Sequence, residues 1–522
     1  MDSPEYLRFY DTVVEELAGR GHEVAIAVNN QRAKKPVGIE GLRAYGDRVR
    51  VLGVVPEREG LWSEAAHMVR ATMDFVRFLH PAFAHAPALR ARIKRKVLPH
   101  VYHGLDRIRS LTSETVERTE RRLMAAERAI PVCGPIVDFL REQAPDVLLV
   151  SPLVAAASEQ VDWIRAARAC GVRSAVAVAS WDNLTNKGLL RVEPDLVLVW
   201  NEAQRREARE FHYMPESKVR ATGAQLFDKW FERTISLDRD AFCRRAGLPD
   251  SGPFVLFTGS SSFISESSAE VAFVRRWIAA LRHSAVPELR SVNVLVRPHP
   301  YNFHRWADDP VADLPGVAVY PKRSYNPVDP ASRNDFYDSL SHSAAVVGIN
   351  TSAMVEAAIV GRPVCSMLAA EFTDSQEGTI HFRHLLPEHG GFLRIAATLE
   401  AHVAQLGQCL QNPEMTRAET AGFVASFIRP HGVARPATPI FVDAVEALAA
   451  GPAPGPEPSS AWRHLVRPLL LAAVVPVVID NWIRDPAALV KLRKQASSWS
   501  KRSAKRMTKA RARWKKYVQK AF

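Results

Sequence analysis

The sequence is short of cysteine, of long apolar runs and, in its last stretch, of acid. Five cysteines are scattered over 522 residues. They are Cys133, Cys170, Cys243, Cys365 and Cys409, with no Cys-x-x-Cys and no Cys/His spacing. An odd, dispersed set speaks against a disulfide framework and a zinc site and fits reduced thiols in a cytosolic protein. No stretch reaches the ~20 apolar residues that a membrane-crossing helix needs. The longest, Pro468–Ile479, has twelve and contains Pro476. Residues 1–20 are charged and lack the apolar centre of a secretory signal. From Ala487 to Phe522 stand thirteen Lys or Arg and no Asp or Glu, which accounts for the whole formal charge of +13 and leaves residues 1–486 balanced. High basicity is thus a property of the tail, and no nucleic acid partner is expected for the body.

What is present is alternation. Tyr6, Tyr10, Val13, Val14 and Leu17 recur at helical spacing, Gly19 and Gly21 end the helix, and Glu23–Val28 reads as a strand. That is the second half of a βαβ unit. The strand that should precede it is missing from the sequence, and a start placed too late is the favoured explanation. Residues 60–130 read as helical and include the basic stretch Arg90–Lys96. Strands follow at Asp146–Ser151, Ser174–Val178, Asp195–Trp200 and Val219–Gly223. A second series begins at Phe254–Thr258 and continues through Val292–Val296, Val317–Tyr320, Ala344–Val347 and Val364–Leu368. Helices are expected between them over Ser268–Leu281 and Ser352–Val360, with Arg239–Ala246 linking the two series. Strands alternating with helices predict parallel sheets covered on both faces.

Ligands of open parallel sheets bind at strand C-termini, so the loops there are the candidate sites. Thr258–Ser262 (TGSSS) brings small residues to a helix start, where backbone N–H groups can approach a phosphate. Arg297–Pro300 (RPHP) places a guanidinium fork and an imidazole at a strand end on a stiff loop. In Gly348–Val364, Asn350, Thr351 and Ser352 can cap the next helix and leave N–H groups for an anion. Glu356 falls one turn further on the same face, where a carboxylate suits a ribose diol. In the first series, Ser180–Gly188 (SWDNLTNKG) gathers Trp181, Asp182, Asn183 and Lys187. Asp182 is a candidate general base for an acceptor hydroxyl, and Lys187 a candidate phosphate ligand. Asp228, in Gly223–Trp230, is the second candidate base. Thr373, Gln376, His381 and the segment Arg429–Gly432 are lesser candidates near the cleft.

Gly-x-x-Thr/Ser-Ser, then Glu-Ala, then Gly-x-Pro-Val resembles the donor loop of GT-B glycosyltransferases. The pattern is shared with the related UDP-N-acetylglucosamine 2-epimerases and CDP-glycerol glycerophosphotransferases, and RPHP after a central strand also resembles that superfamily. The resemblance covers about residues 1–445. It implies two Rossmann-like α/β domains with parallel sheets facing a central cleft. Residues 1–235 would form the acceptor side, and residues 236–450 would bind a nucleotide-sugar donor. Ser260 and Ser261 would sit near the diphosphate, Arg297 and His299 would neutralise it, and Asn350, Thr351, Ser352 and Glu356 would hold diphosphate and ribose. No Asp-x-Asp, the usual metal-binding signal of the other glycosyltransferase fold, is found on this reading. The mechanism expected is therefore metal-independent, without a cofactor beyond the nucleotide-sugar, the protein itself stabilising the leaving diphosphate. The His-Gly-Thr motif of the CDP-glycerol enzymes is absent.

Beyond a Pro/Gly linker at 451–461, residues 462–522 join the apolar segment to the cationic run, with Trp482, Trp499, Trp514 and Tyr517 interleaved. Such a basic amphipathic helical tail is expected to rest on an anionic membrane surface. The expectation is a glycosyltransferase, peripheral at the inner face of the cytoplasmic membrane, acting on a lipid-linked or surface-polysaccharide acceptor. A polyol-phosphate transferase, an epimerase and a non-catalytic scaffold are the alternatives.

Overall fold

The computed structural model describes all residues except 2–3, 29–45, 53–54, 98, 107–111, 265–266, 324–326, 328, 456–460 and 485–522. Its two lobes are α/β, and every strand pairing in them is parallel.

In the first lobe β1 (Val24–Ile26) pairs with β2 (Val49–Val51) as a sheet of its own. A separate four-stranded sheet runs in order through β3 (Val147–Val150), β4 (Arg173–Ala177), β5 (Leu196–Val199) and β6 (Val219–Ala221). Ala177 and Leu198 of that sheet pack against Val13 of the helix Asp11–Gly19 and against Tyr10, the residue that precedes it. Between β2 and β3 comes the predicted helical insert. Its helices Leu61–Arg77 and Ser113–Ala129 are held together by Arg70, whose Nη2 lies 2.8 Å from Glu127 and 2.9 Å from Asp162.

In the second lobe β7 (Phe254–Thr258), β8 (Asn293–Arg297), β9 (Val317–Val319), β10 (Ala345–Gly348), β11 (Val364–Met367) and β12 (Arg394–Ala396) form one sheet in the order β12-β11-β10-β7-β8-β9. The continuous apolar runs of β7 and β8 are buried throughout, as strands covered on both faces must be. The chain moves outward from β7 to β9, then returns to the other side of β7 at β10. Strand order therefore reverses between β7 and β10, and a crevice opens where their C-terminal ends part.

Two elements depart from the expected division. The helix Ala437–Ala450, assigned to the donor domain by position, packs Phe441, Val442 and Val445 against Tyr10, Ala177 and Leu198 of the first lobe. The tail begins as a helix, Trp462–Arg484, lying on the helical insert through Leu470, Val474 and Val478. The cationic run from 487 onward lies outside the described residues. No helix among the described residues is long and apolar enough to cross a membrane.

Candidate active site

A cleft of about 570 Å³ opens between the lobes. Its second-lobe wall is built by the loops after β7, β8 and β10. Gly259 lets the first two meet: its N–H donates to Arg297 O at 2.8 Å, and a Cβ there would lie 2.7 Å from His299 N. Only glycine permits that approach. Of the two adjacent serines, Ser261 lines the cleft. Ser260 is fully buried instead, its N–H donating to Glu270 Oε1 at 2.7 Å and its hydroxyl accepting from Asn350 N at 3.5 Å. The expectation that Ser260 meets the diphosphate is corrected: it braces the neighbouring loop. Burial lifts the Glu270 carboxyl to about 7 against the pull of its Ser260 and Trp306 hydrogen bonds.

Arg297 ends β8 inside the cleft wall. Its Nη1 donates to Asp335 at 3.1 Å and to Ser339 at 2.7 Å, and its guanidinium carbon lies 5.0 Å from the Phe336 ring centre. Among the described residues Nε and Nη2 carry no hydrogen bond, which leaves two donors of the fork for a ligand. Beside it, His299 accepts the Tyr301 N–H at Nδ1, and burial holds its imidazole down at about 4, so it is neutral at physiological pH. After β10, Thr351, Ser352 and Ala353 line the cleft at the start of the helix Ser352–Ile359. Thr351 makes no side-chain cap bond, so the helix start is open to an anion. Asn350 is taken up structurally, its amide donating to Ser375 O at 2.6 Å and reaching His381 Nε2 at 3.3 Å.

Glu356 lines the cleft one turn beyond Ser352, and its carboxyl makes no ion pair or hydrogen bond among the described residues. Burial pushes its carboxyl up to about 8, with Arg8 and Arg297 opposing. Below that pH it is neutral and does not repel a diphosphate; above it, ionisation adds a negative charge beside the ligand. Donor affinity is therefore expected to be flat up to about pH 8 and then to weaken by up to about tenfold per pH unit. Titration calorimetry across that range checks this, and in Glu356→Gln the decline disappears.

Across the cleft stands the loop Ser180–Gly188, containing the short helix Asn183–Asn186. The Trp181 indole donates to Ser352 Oγ at 3.2 Å, a bond between the lobes, and meets the His381 ring edge-on at 4.8 Å. Asp182 faces the cleft and accepts from the amides of Asn183 at 3.2 Å and Asn186 at 3.1 Å, with Lys187 Nζ at 3.9 Å. Burial alone would raise its carboxyl, but Lys187, His381 and hydrogen bonding from Ser180 and Asn186 outweigh that and hold it well below the usual carboxylate range. Asn183 also lines the cleft wall, but its Oδ1 accepts the Ala179 N–H at 3.1 Å. His381 is neutral, held at about 4 by burial with Asp182 opposing, and its Nδ1 is buried without a partner.

The loop is braced from beneath. Arg77, buried in the helical insert, donates to the carbonyls of Leu184, Lys187 and Gly188. Asp74 accepts the Leu189 N–H at 2.8 Å, and a Cβ on Gly188 would lie 2.6 Å from the same carboxylate oxygen.

The second candidate base is not in the cleft. Asp228 is buried, accepting from Arg429 Nη2 at 2.8 Å, Ala437 N at 3.0 Å, and Thr438 N at 2.6 Å. It caps the helix Ala437–Ala450, and the Arg429–Gly432 segment serves that same junction. Thr373 is exposed away from the cleft, and Gln376 is spent on Ile349 O and Met367 O. An Asp-x-Asp does occur at Asp238–Asp240, but Asp238 caps the linking helix Arg239–Ala246 through Ala241 N at 2.8 Å.

Among the wall residues missing from the sequence reading are Arg8 and Arg92. Arg92 lies 4.3 Å from the Phe263 ring centre and donates to Asn186. Among the described residues Arg8 has no ion-pair partner, and its buried Nε has no hydrogen bond. Among the described residues eight Lys or Arg and three carboxylates (Asp11, Asp182 and Glu356) line the cleft, which suits an anionic ligand.

No protein-family model matches the chain, and no curated protein matches it. Among solved structures it is similar to a putative UDP-N-acetylglucosamine 2-epimerase from Listeria monocytogenes, at 12% identity over 88% of this chain and 98% of that one, with a TM-score of 0.48. A glycosyltransferase from Rickettsia africae matches at 9% identity over 85% and 95%, with a TM-score of 0.48. The UDP-GlcNAc 2-epimerase from Neisseria meningitidis, solved with UDP-GlcNAc, matches at 15% over 63% and 82%, with a TM-score of 0.40. Two parallel-sheet lobes that face one another across a cation-lined cleft are the GT-B architecture implied by the donor-loop resemblance.

Proposed function

We propose that the protein is a metal-independent glycosyltransferase that moves a sugar from a nucleotide-sugar to a hydroxyl of a lipid-linked or surface-polysaccharide acceptor at the cytoplasmic face of a membrane. One observation carries this reading. Arg297 offers two unpaired guanidinium donors beside Ser261 and the open helix start at Ser352, all at the crevice where strand order reverses. Those donors would take the diphosphate and stabilise it as it leaves, which is where charge develops. Glu356 would meet the ribose. The acceptor would enter against Trp181, Asp182 and Lys187.

A carboxylate held as firmly ionised as Asp182 removes a proton poorly. The role assigned to it is to hold the acceptor hydroxyl and to balance charge in the site. Asp182→Asn is accordingly expected to cost about tenfold in kcat, against the 10²–10⁴-fold loss that removing a general base produces.

The reading is tested by incubating the purified chain with nucleotide-sugars and membrane acceptors. Acceptor-dependent release of a nucleoside diphosphate supports it. Release of CMP would point to the polyol-phosphate transferases, and interconversion of the free nucleotide-sugar without acceptor to the epimerases. Absence of binding by any nucleotide-sugar would leave a scaffold.

A further inference from the structure

The helix Trp462–Arg484 is apolar on two sides, and the body covers only one. Leu470, Val474 and Val478 are buried on the helical insert. On the opposite side Leu465 is 75% exposed, Leu469 69%, Val475 48% and Ile479 46%. At 100° per residue these four fall within one half of the helix surface, facing away from the protein. A helix apolar all round is normally buried all round, so the outward stripe calls for a second apolar phase.

We infer that this stripe is a docking face for the surface of an anionic lipid bilayer. Charge complementarity decides for lipid over a second copy of the chain. The sequence that follows, residues 487–522, carries thirteen cations and no acid, so two copies brought together here would bring like charge together. Pro468 and Pro476, inside the helix, remove the N–H groups that would satisfy the carbonyls of His464 and Ala472. Carbonyls freed in this way need water or headgroup donors, which places the helix at the interface rather than across the hydrocarbon.

The position of the face deepens the acceptor assignment and rests on it for its meaning. Helix Leu61–Arg77, on which Trp462–Arg484 lies, is the element whose Asp74 and Arg77 brace the loop carrying Trp181 and Asp182. The bilayer contact and the acceptor wall thus share one rigid support. The lobe presented to the membrane is the one that would receive a membrane-linked acceptor.

The test is co-sedimentation of the full chain with vesicles of phosphatidylcholine alone and of phosphatidylcholine mixed with phosphatidylglycerol, without nucleotide-sugar. The full chain is expected to partition to the mixed vesicles. Leu465→Ser/Leu469→Ser is expected to lower that partitioning about tenfold or more. Both residues are exposed, so the variant's thermal melt should match wild type. No binding by the wild type overturns the proposal. So does undiminished binding by the variant, since the basic run alone would then suffice. A wild-type dimer that the substitutions dissociate overturns it in favour of self-association. Because no sugar donor is present, failure here is distinct from failure of the donor assignment.

Discussion

Replacing Arg297 by methionine is expected to weaken binding of the nucleotide-sugar donor by about a hundredfold. Nε and Nη2 are the donors this residue offers the cleft, and a hydrogen bond to a charged group contributes about 1.5–3 kcal/mol. Losing a bidentate contact to phosphate oxygens should therefore cost roughly 3 kcal/mol, or two decades in Kd. The same substitution has a second consequence. Asp335, with its side chain 1% exposed, loses the guanidinium at 3.1 Å and keeps only the Tyr320 hydroxyl at 2.7 Å and Arg245 at 3.8 Å. Breaking a buried pair from one side costs about 3–5 kcal/mol of stability. The double variant Arg297→Met/Asp335→Leu separates the two effects. It removes the stranded charge and should recover most of the lost melting temperature, yet none of the donor affinity. Titration calorimetry with the nucleoside diphosphate, alongside melts without ligand, measures both. If Arg297→Met binds the diphosphate as tightly as wild type, the guanidinium is not its ligand and the donor assignment is lost.

The sequence made one half of the cleft far more legible than the other. Along the donor wall the chemistry is local: Arg297 and the Thr351–Ser352 start follow directly from a strand end, and the structure brings them together at one crevice. What local pattern could not decide was which of Ser260 and Ser261 faces the ligand, since neighbouring side chains at a strand end point to opposite sides. The acceptor wall is assembled from distant pieces. Arg8 arrives from the first turn of the chain and Arg92 from the helix Pro87–Lys94, and nothing in their own neighbourhoods marks them as cleft residues. The basic stretch Arg90–Lys96 was visible, but not that one of its guanidinium groups turns inward to Asn186. Strands β2 and β12, each three residues long, were not read from the sequence. The return of Ala437–Ala450 to the first lobe depends on a tertiary contact with Tyr10 and Ala177 that no periodicity encodes.

Asp228 shows what such long-range partnership does to a functional reading, and it gives the other large effect. Replacing it by leucine is expected to lower the melting temperature by roughly 10 °C while leaving kcat/KM of the folded protein within about twofold of wild type. An aspartate after a strand, in a loop expected to line the cleft, looks like a base. The groups it serves lie 209 residues further along the chain, at Ala437, and at Arg429. Two charge-assisted bonds to the first turn of a helix act as an N-cap, worth about 1 kcal/mol, and stranding Arg429 adds about 3–5 kcal/mol. Arg429 also lies 3.6 Å over the Phe231 ring, in a site with side-chain exposure of only 5%, so water cannot replace the carboxylate. For a lobe of this size each kcal/mol moves the midpoint by about 2–4 °C. Asp228→Asn keeps the cap geometry but gives up the charge, and should fall between the two. A catalytic aspartate would give the reverse pattern, with an unchanged melt and turnover down by 10²–10⁴. Measuring both quantities on the same preparations therefore assigns the residue to the chemistry or to the junction that fastens the helix Ala437–Ala450 to the first lobe.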